Sequence, residues 1–312
     1  MKSIATAPAK VILLGEHFVV HGVRAILCTI DKRVTVSSRT LDDNIIKIKS
    51  KLGNLSTTLS KSVDEQNIPL KPFLHIAKKI LEKFSTSVGI EIDIKSDIPI
   101  GVGLGSSSAC CVAAAASVSG IFGKLTREEI LKLAIEAERT IFQKTSGADC
   151  SVCTYGGLME YSTEQGYRAL NSKIDFNLVI ANSKETHSTN QIVHKVQNFK
   201  DRHEEIFLSL CNEENVIVEK ALTAIKENDL PTLGKLMSEN QVLLDKIGVT
   251  TEKLKVLVKT ASNTSYGAKI TGAGGGGCVI GLTDRTNLEQ TLGSLEDQDC
   301  ECFVSKIDYN GL

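Results

Sequence analysis

The 312-residue chain lacks an excess of charge of either sign, since 36 Lys and Arg face 37 Asp and Glu, a formal net charge of -1. No global positive field draws it to nucleic acid or to an anionic membrane, and neither is expected as a partner. A secretory leader is not expected either, because Lys10 and Glu16 interrupt the apolar run that starts at Ile4. Its nine cysteines are odd in number and scattered, which excludes a secreted disulfide framework and fits a reducing, cytoplasmic setting. The long uncharged stretch from Ile98 to Gly123 opens with Pro99, Gly101, Gly103, Gly105 and three serines, which leaves too short a segment to span a bilayer. No internal repeat is evident.

What is present is the composition of an ordinary globular protein, 42% hydrophobic with 24 glycines, long enough for two domains. The first half alternates strands and helices. Strands are predicted at Val11 to Leu14, Ala25 to Ile30, Arg33 to Ser37 and over the strict alternation of residues 90 to 95. Helices are predicted from Pro72 to Phe84, from Ser108 to Ser119, and from Arg127 to about Gln143, where Thr126 and Glu129 form a capping box. After Phe176 to Ala181, a strand, several amphipathic helices lie between Ser188 and Thr264. Strands at Ala268 to Thr271, Cys278 to Leu282 and Cys302 to Ile307 close the chain, with a helix at Asn287 to Leu295. The turn Glu164-Gln165-Gly166 sets a boundary that divides the chain into 1–168 and 169–312.

Two glycine-rich segments stand out. Pro99-Ile100-Gly101-Val102-Gly103-Leu104-Gly105-Ser106-Ser107-Ser108-Ala109 links a strand to a helix, where free backbone N–H groups attract phosphate and serine hydroxyls can bind phosphate or Mg²⁺. Neither common phosphate fingerprint is matched, so a simple turn is the plain alternative. The run Gly272 to Gly277 has more glycines than a hairpin needs and reads as a backbone surface close to a substrate or to the other loop. Glu138 falls on the apolar stripe of its helix, and a buried carboxylate there needs a cation partner; a structural pair with Arg or Lys is the alternative. Asp149, eleven positions on, can fold back to the same place or can cap the segment that follows. Lys10 stands beside a buried strand, where an ammonium is best explained by an anionic partner. Together these features suggest phosphoryl transfer from a nucleotide. Cys150 and Cys153 admit a zinc or redox reading, but small buried packing residues are the default. His75, His194 and His203 read as partly exposed polar positions, and His187 as near the substrate or in a loop.

Three segments, Pro8 to Gly22, Pro99 to Ala109 and Lys269 to Cys278, resemble the three motifs of the GHMP kinase superfamily in order and position. The first, Gly15-Glu-His-Phe-Val-Val-His-Gly22, resembles the mevalonate kinases more closely than the galactokinases, which usually continue Gly-Glu-His with Thr-Asp, or the homoserine kinases, which lack it. The resemblance implies an α/β, two-domain kinase: an N-terminal domain like ribosomal protein S5 domain 2 and a ferredoxin-like C-terminal domain. It implies ATP and Mg²⁺ as cofactors, mevalonate as substrate, and a homodimer. By the same resemblance, the ATP phosphates lie over Pro99 to Ala109, Ser107 and Glu138 hold Mg²⁺, Asp149 accepts the proton of the mevalonate 5-hydroxyl, and Lys10 stabilises that oxygen. Glu16, His17, Ser188, Thr189, Thr271, Gly272 and Ala273 fall on the substrate side, and the adenine falls between Leu52 and Pro72. Two positions depart from the family pattern: Thr145 replaces the usual proline before Ser-Gly-x-Asp, and Ser108 replaces a common alanine.

Overall fold

The apolar alternation at the start of the chain builds two long strands. In the computed structural model, which describes residues 1–61, 63, 69–142, 145–172, 174–186 and 188–312, β1 (Lys2–Leu14) runs antiparallel to β2 (Ala25–Leu41). Pro8 faces Arg33 and Ala9 faces Ile30, so Asp31 and Lys32 bulge out of β2. That bulge breaks the alternation and explains why the sequence reads as two short strands where one continues.

A hairpin of β3 (Ile45–Ser50) and β4 (Gly53–Thr58) follows, then α1 (Lys71–Lys83) and β5 (Gly89–Ser96). β5 buries Ile90, Ile92 and Ile94 and turns Glu91 toward Arg39 and Lys49. Next come α2 (Ser106–Phe122), α3 (Arg127–Glu138), α4 (Ala148–Tyr155), β6 (Leu158–Ser162) and β7 (Gly166–Ala169). The strands order as β4-β3-β5-β2-β6-β7, with β1 also on β2. α2 is buried along most of its length against β1 and β2. Ala109, Ala113, Ala114 and Ala115 keep it thin enough to lie close on the sheet.

The second half comprises β8 (Asn177–Asn182), α5 (Thr189–Arg202), α6 (Glu204–Glu227), α7 (Leu230–Lys246), α8 (Glu252–Ser262), β9 (Gly267–Thr271), β10 (Cys278–Thr283), α9 (Leu288–Glu296) and β11 (Glu301–Lys306). Its antiparallel sheet has the order β11-β8-β10-β9, the ferredoxin-like arrangement that the resemblance implied. No helix among the described residues is long and apolar enough to cross a membrane.

Two expectations are corrected. The helix expected to reach Gln143 ends at Glu138, with Arg139 as its cap, and residues 143–144 lie outside the described set. β4 occupies part of the stretch from Leu52 to Pro72 read as a loop, while residues 62 and 64–68 lie outside the described set.

The last residues return to the first sheet. Arg33 ion-pairs with Asp308 and donates to Gly311 O at 2.6 Å, while Gly157 N–H donates to Asp308 O at 2.9 Å. Asp308 is buried and Arg33 only partly exposed, so removing the guanidinium strands a carboxylate and a carbonyl. Arg33→Ala is expected to lower stability by about 2–4 kcal/mol in urea unfolding, well beyond an exposed ion pair.

Candidate active site

β1 carries Lys10 under the first glycine loop. Lys10 N–H donates to Leu104 O at 3.0 Å, and a Cβ on Gly105, which has φ +72°, would fall 2.6 Å from Lys10 Cγ. Glycine at 105 therefore leaves the space through which the lysine side chain runs. Its Nζ emerges 3.0 Å from Asp149 Oδ2; the lysine side chain is 3% exposed and the aspartate 34%. Asp149 lies in the first turn of α4, whose cap is Gly147, so its carboxylate faces Lys10 and caps nothing.

The same loop meets the second glycine run back to back. A Cβ on Gly103 would fall 2.6 Å from Thr271 O, one on Gly272 would fall 2.9 Å from Gly103 Cα, and Cys278 N–H donates to Val102 O at 3.2 Å. Beyond the loop, α2 starts at Ser106 with no side-chain cap, so its first N–H groups are open to an anion. The cradle has the backbone geometry and polarity for phosphate.

Glu138, buried at the end of α3, meets no cation. Ser108 Oγ donates to its Oε1 at 2.6 Å and Thr145 Oγ1 to its Oε2 at 3.2 Å; among the described residues no Lys or Arg pairs with it. The structural pair with Arg or Lys, the alternative reading, is thus not formed among the described residues. Burial pushes its carboxyl up, Ser108 opposes that, and the nearby Asp149 carboxylate adds to it. Ser108 rather than Ser107 reaches Glu138, and Ser107 stands half-buried at the helix start. A buried carboxylate with hydroxyls around it, beside a phosphate cradle and a second carboxylate, suits a hard divalent cation that takes most of its other ligands from phosphate and water. The oxygen donor set fits Mg²⁺ and not a thiolate metal, and burial raises the Cys150 and Cys153 thiols.

The residues placed on the substrate side divide into two groups. Glu16, His17, Thr271 and Ala273 lock the first segment to the third. Thr271 Oγ1 accepts from Ile12 N–H at 2.9 Å, His17 Nε2 lies 2.8 Å from Ala273 O, and Glu16 ion-pairs with Lys269. Burial lowers the His17 imidazole to about 4, so at neutral pH it is uncharged and donates Nε2–H to the carbonyl. Ser188 and Thr189 are exposed at the start of α5, and the segment before them is tied to the glycine run by Ser183 N–H to Gly277 O at 2.9 Å. His187 lies outside the described residues. Sequence reasoning did not single out Thr145 as a partner of Glu138 or Lys269 as a buried charge. A lysine in an apolar strand, the signal used for Lys10, was equally present at 269.

A family model described as GHMP kinases N terminal domain matches residues 71–157, and one described as GHMP kinases C terminal matches residues 221–298. The chain is 35% identical to a mevalonate kinase from Thermococcus sibiricus over 100% of its own length and 98% of the relative's. The crystal structure of the Methanococcus jannaschii mevalonate kinase matches with a TM-score of 0.87 at 30% identity, over 99% of both chains. That of the L. major mevalonate kinase in complex with R-mevalonate shares the fold, with a TM-score of 0.82 at 24% identity over 100% of this chain and 97% of that one.

Two outcomes follow from the geometry. Gly105→Ala should destabilise by about 1–3 kcal/mol in denaturant melts, through positive φ and displacement of Lys10, and by more than Gly101→Ala, whose added Cβ meets nothing within 4 Å. The depressed His17 makes a stability contribution that is full above about 6.5 and lost as pH falls toward about 4, because the unfolded chain takes up the proton first. Thermal midpoints of His17→Gln and the parent chain should therefore converge as the pH is lowered across that window.

Proposed function

The chain belongs to the mevalonate kinases of the GHMP kinase family, and on that premise we propose that Lys10 and Asp149 carry the transfer of the ATP γ-phosphoryl group to the 5-hydroxyl of (R)-mevalonate, giving 5-phosphomevalonate and ADP. ATP-dependent phosphorylation of mevalonate is the activity of the chain. The observation that carries the residue assignment is the Lys10–Asp149 pair beside the glycine cradle, with Glu138 buried next to it.

Of Asp149, Glu138 and Glu16, Asp149 is the carboxylate open to a substrate hydroxyl, and it takes the proton as the oxygen attacks. Lys10, fixed by the loop above it and shielded from water, places a positive charge where the oxygen loses its proton and where the transferring group gathers negative charge. The open N–H groups at Ser106 to Ser108 and the backbone from Pro99 to Gly105 hold the phosphates in line with that hydroxyl. Glu138 and the hydroxyls of Ser107 and Ser108 would hold Mg²⁺, which would neutralise phosphate charge. Mevalonate enters from the side of the Gly15–His17 turn and the exposed Ser188 and Thr189, where its carboxylate and the reacting hydroxyl can be separated along the cleft.

ADP release with Mg-ATP and a panel of mevalonate, phosphomevalonate, galactose and homoserine tests the substrate, and Asp149→Asn tests the base. Turnover on mevalonate alone is expected, with kcat falling about 10²–10⁴-fold in Asp149→Asn while ATP binding persists. Near-normal turnover by that variant would remove Asp149 from the role of base, and turnover on another acceptor would overturn the substrate.

A further inference from the structure

Behind the Gly15–His17 turn lies a buried polar cluster that the phosphoryl-transfer chemistry does not use. Glu16, Lys269, Glu214 on α6 and Asn240 on α7 are all buried, drawn from four elements of the two halves. Lys269 has three N–H donors, and it directs them to Glu16 Oε1, to Ile270 O at 2.6 Å and to Ile12 O at 3.5 Å, so none is left for Glu214. Glu214 Oε2 accepts from Asn240 Nδ2 at 2.7 Å, and the Gly15 backbone faces the same carboxyl. Glu16 Oε2, Glu214 Oε1 and Asn240 Oδ1 are buried without a hydrogen-bond partner among the described residues. All three are acceptors, and a buried acceptor without a donor is costly. A proton on Glu214 is a donor the cluster can add from within. The turn is further seated on α6 by Phe18 against Phe207, with ring centroids 5.8 Å apart.

We propose that Glu214, held by Asn240 and set against Gly15 and Glu16, is a positioning residue that fixes the substrate-side Gly15–His17 turn through the Glu16–Lys269 pair. The proposal rests on reading that turn as the substrate side. In its neutral form Glu214 leaves one carboxylate, Glu16, to one ammonium, Lys269. When it ionises, two buried carboxylates share that single cation, and the turn loosens. Burial pushes Glu214 up to about 7, with the Glu16 carboxylate adding to the rise and Asn240 and Lys269 opposing it. The groups that face it are Glu16 from the turn, Lys269 from β9 and Asn240 from α7; Lys10 acts on Glu16 and Lys269 from β1, and Cys211 shares its helix. Because the folded value is raised, the stabilisation is full below about 4.5 and is lost as pH climbs through about 7.

The test is kcat and KM for mevalonate at saturating Mg-ATP from pH 5.5 to 9, for the parent chain, Glu214→Gln and Asn240→Ala, with thermal melts at each pH. In the parent chain KM for mevalonate is expected to rise severalfold across pH 7 with the KM for ATP unchanged. Glu214→Gln should hold the low-pH KM throughout. Asn240→Ala, which removes the amide that favours the ionised carboxyl, should move the midpoint upward, and it carries the test alone if the melts show Glu214→Gln unfolded. Superposing KM profiles for parent and Glu214→Gln, or an unmoved midpoint in Asn240→Ala, overturn the proposal. Absence of turnover on mevalonate at every pH would instead overturn the function on which it rests.

Discussion

The site depends on two stretches of backbone touching where side chains would keep them apart. Gly103 and Gly272 are in direct contact, and the carbonyl of Thr271 occupies the volume that a Cβ on Gly103 would need. Everything polar in the site follows from that approach. It brings Val102 within reach of Cys278, sets Thr271 across from Ile12, and leaves the Pro99–Gly105 loop draped over Lys10. Main chain bonded to main chain is a rigid frame for a phosphate cradle, since it has no rotamers to freeze when a ligand arrives.

Around that frame the protein sorts its carboxylates by environment. Asp149 keeps access to solvent and sits against a lysine; Glu138 is enclosed by hydroxyls with no cation among the described residues; Glu16 is enclosed with a lysine of its own. In the proposed mechanism, three copies of nearly the same functional group would thereby serve as a base, a ligand and a fastener. The distinction is drawn by what each one meets: an accessible lysine contact, a pair of hydroxyls, or a buried ammonium.

Much of this was legible in the residues. The Ile90–Lys95 alternation, the Thr126–Glu129 capping box and the helical spacing after Pro72 became β5, α3 and α1 within a few residues, because each is a local pattern with a local cause. Lys10 and Glu138 stood out because charge in apolar surroundings demands a partner, and Asp149 because a turn can fold it back toward Glu138. What the sequence hid is non-local. The bulge at Asp31 and Lys32 disguised one strand as two, and the polar strand β4 showed no alternation to register, whereas the Ile46-Lys47-Ile48-Lys49 alternation of β3 was present and was not singled out. The partners themselves were hidden as well: nothing in the spacing says that Glu138 is held by Ser108 and Thr145, or that Glu16 and His17 bind the third segment. The three motifs supplied that long-range information only in the form of a family resemblance, and the sheet order then bore out the fold it implied.

Glu16 and Lys269 are 253 positions apart. On a ribosome adding about 5–20 residues each second, the carboxylate emerges roughly 10–50 s before the ammonium that neutralises it. During that interval the first sheet can form around α2, but the turn after β1 holds a charge it has no means to bury. The cleft therefore closes only after β9 has been made, and the nascent first half exposes the surface of β1 and the glycine loop that the second half will cover.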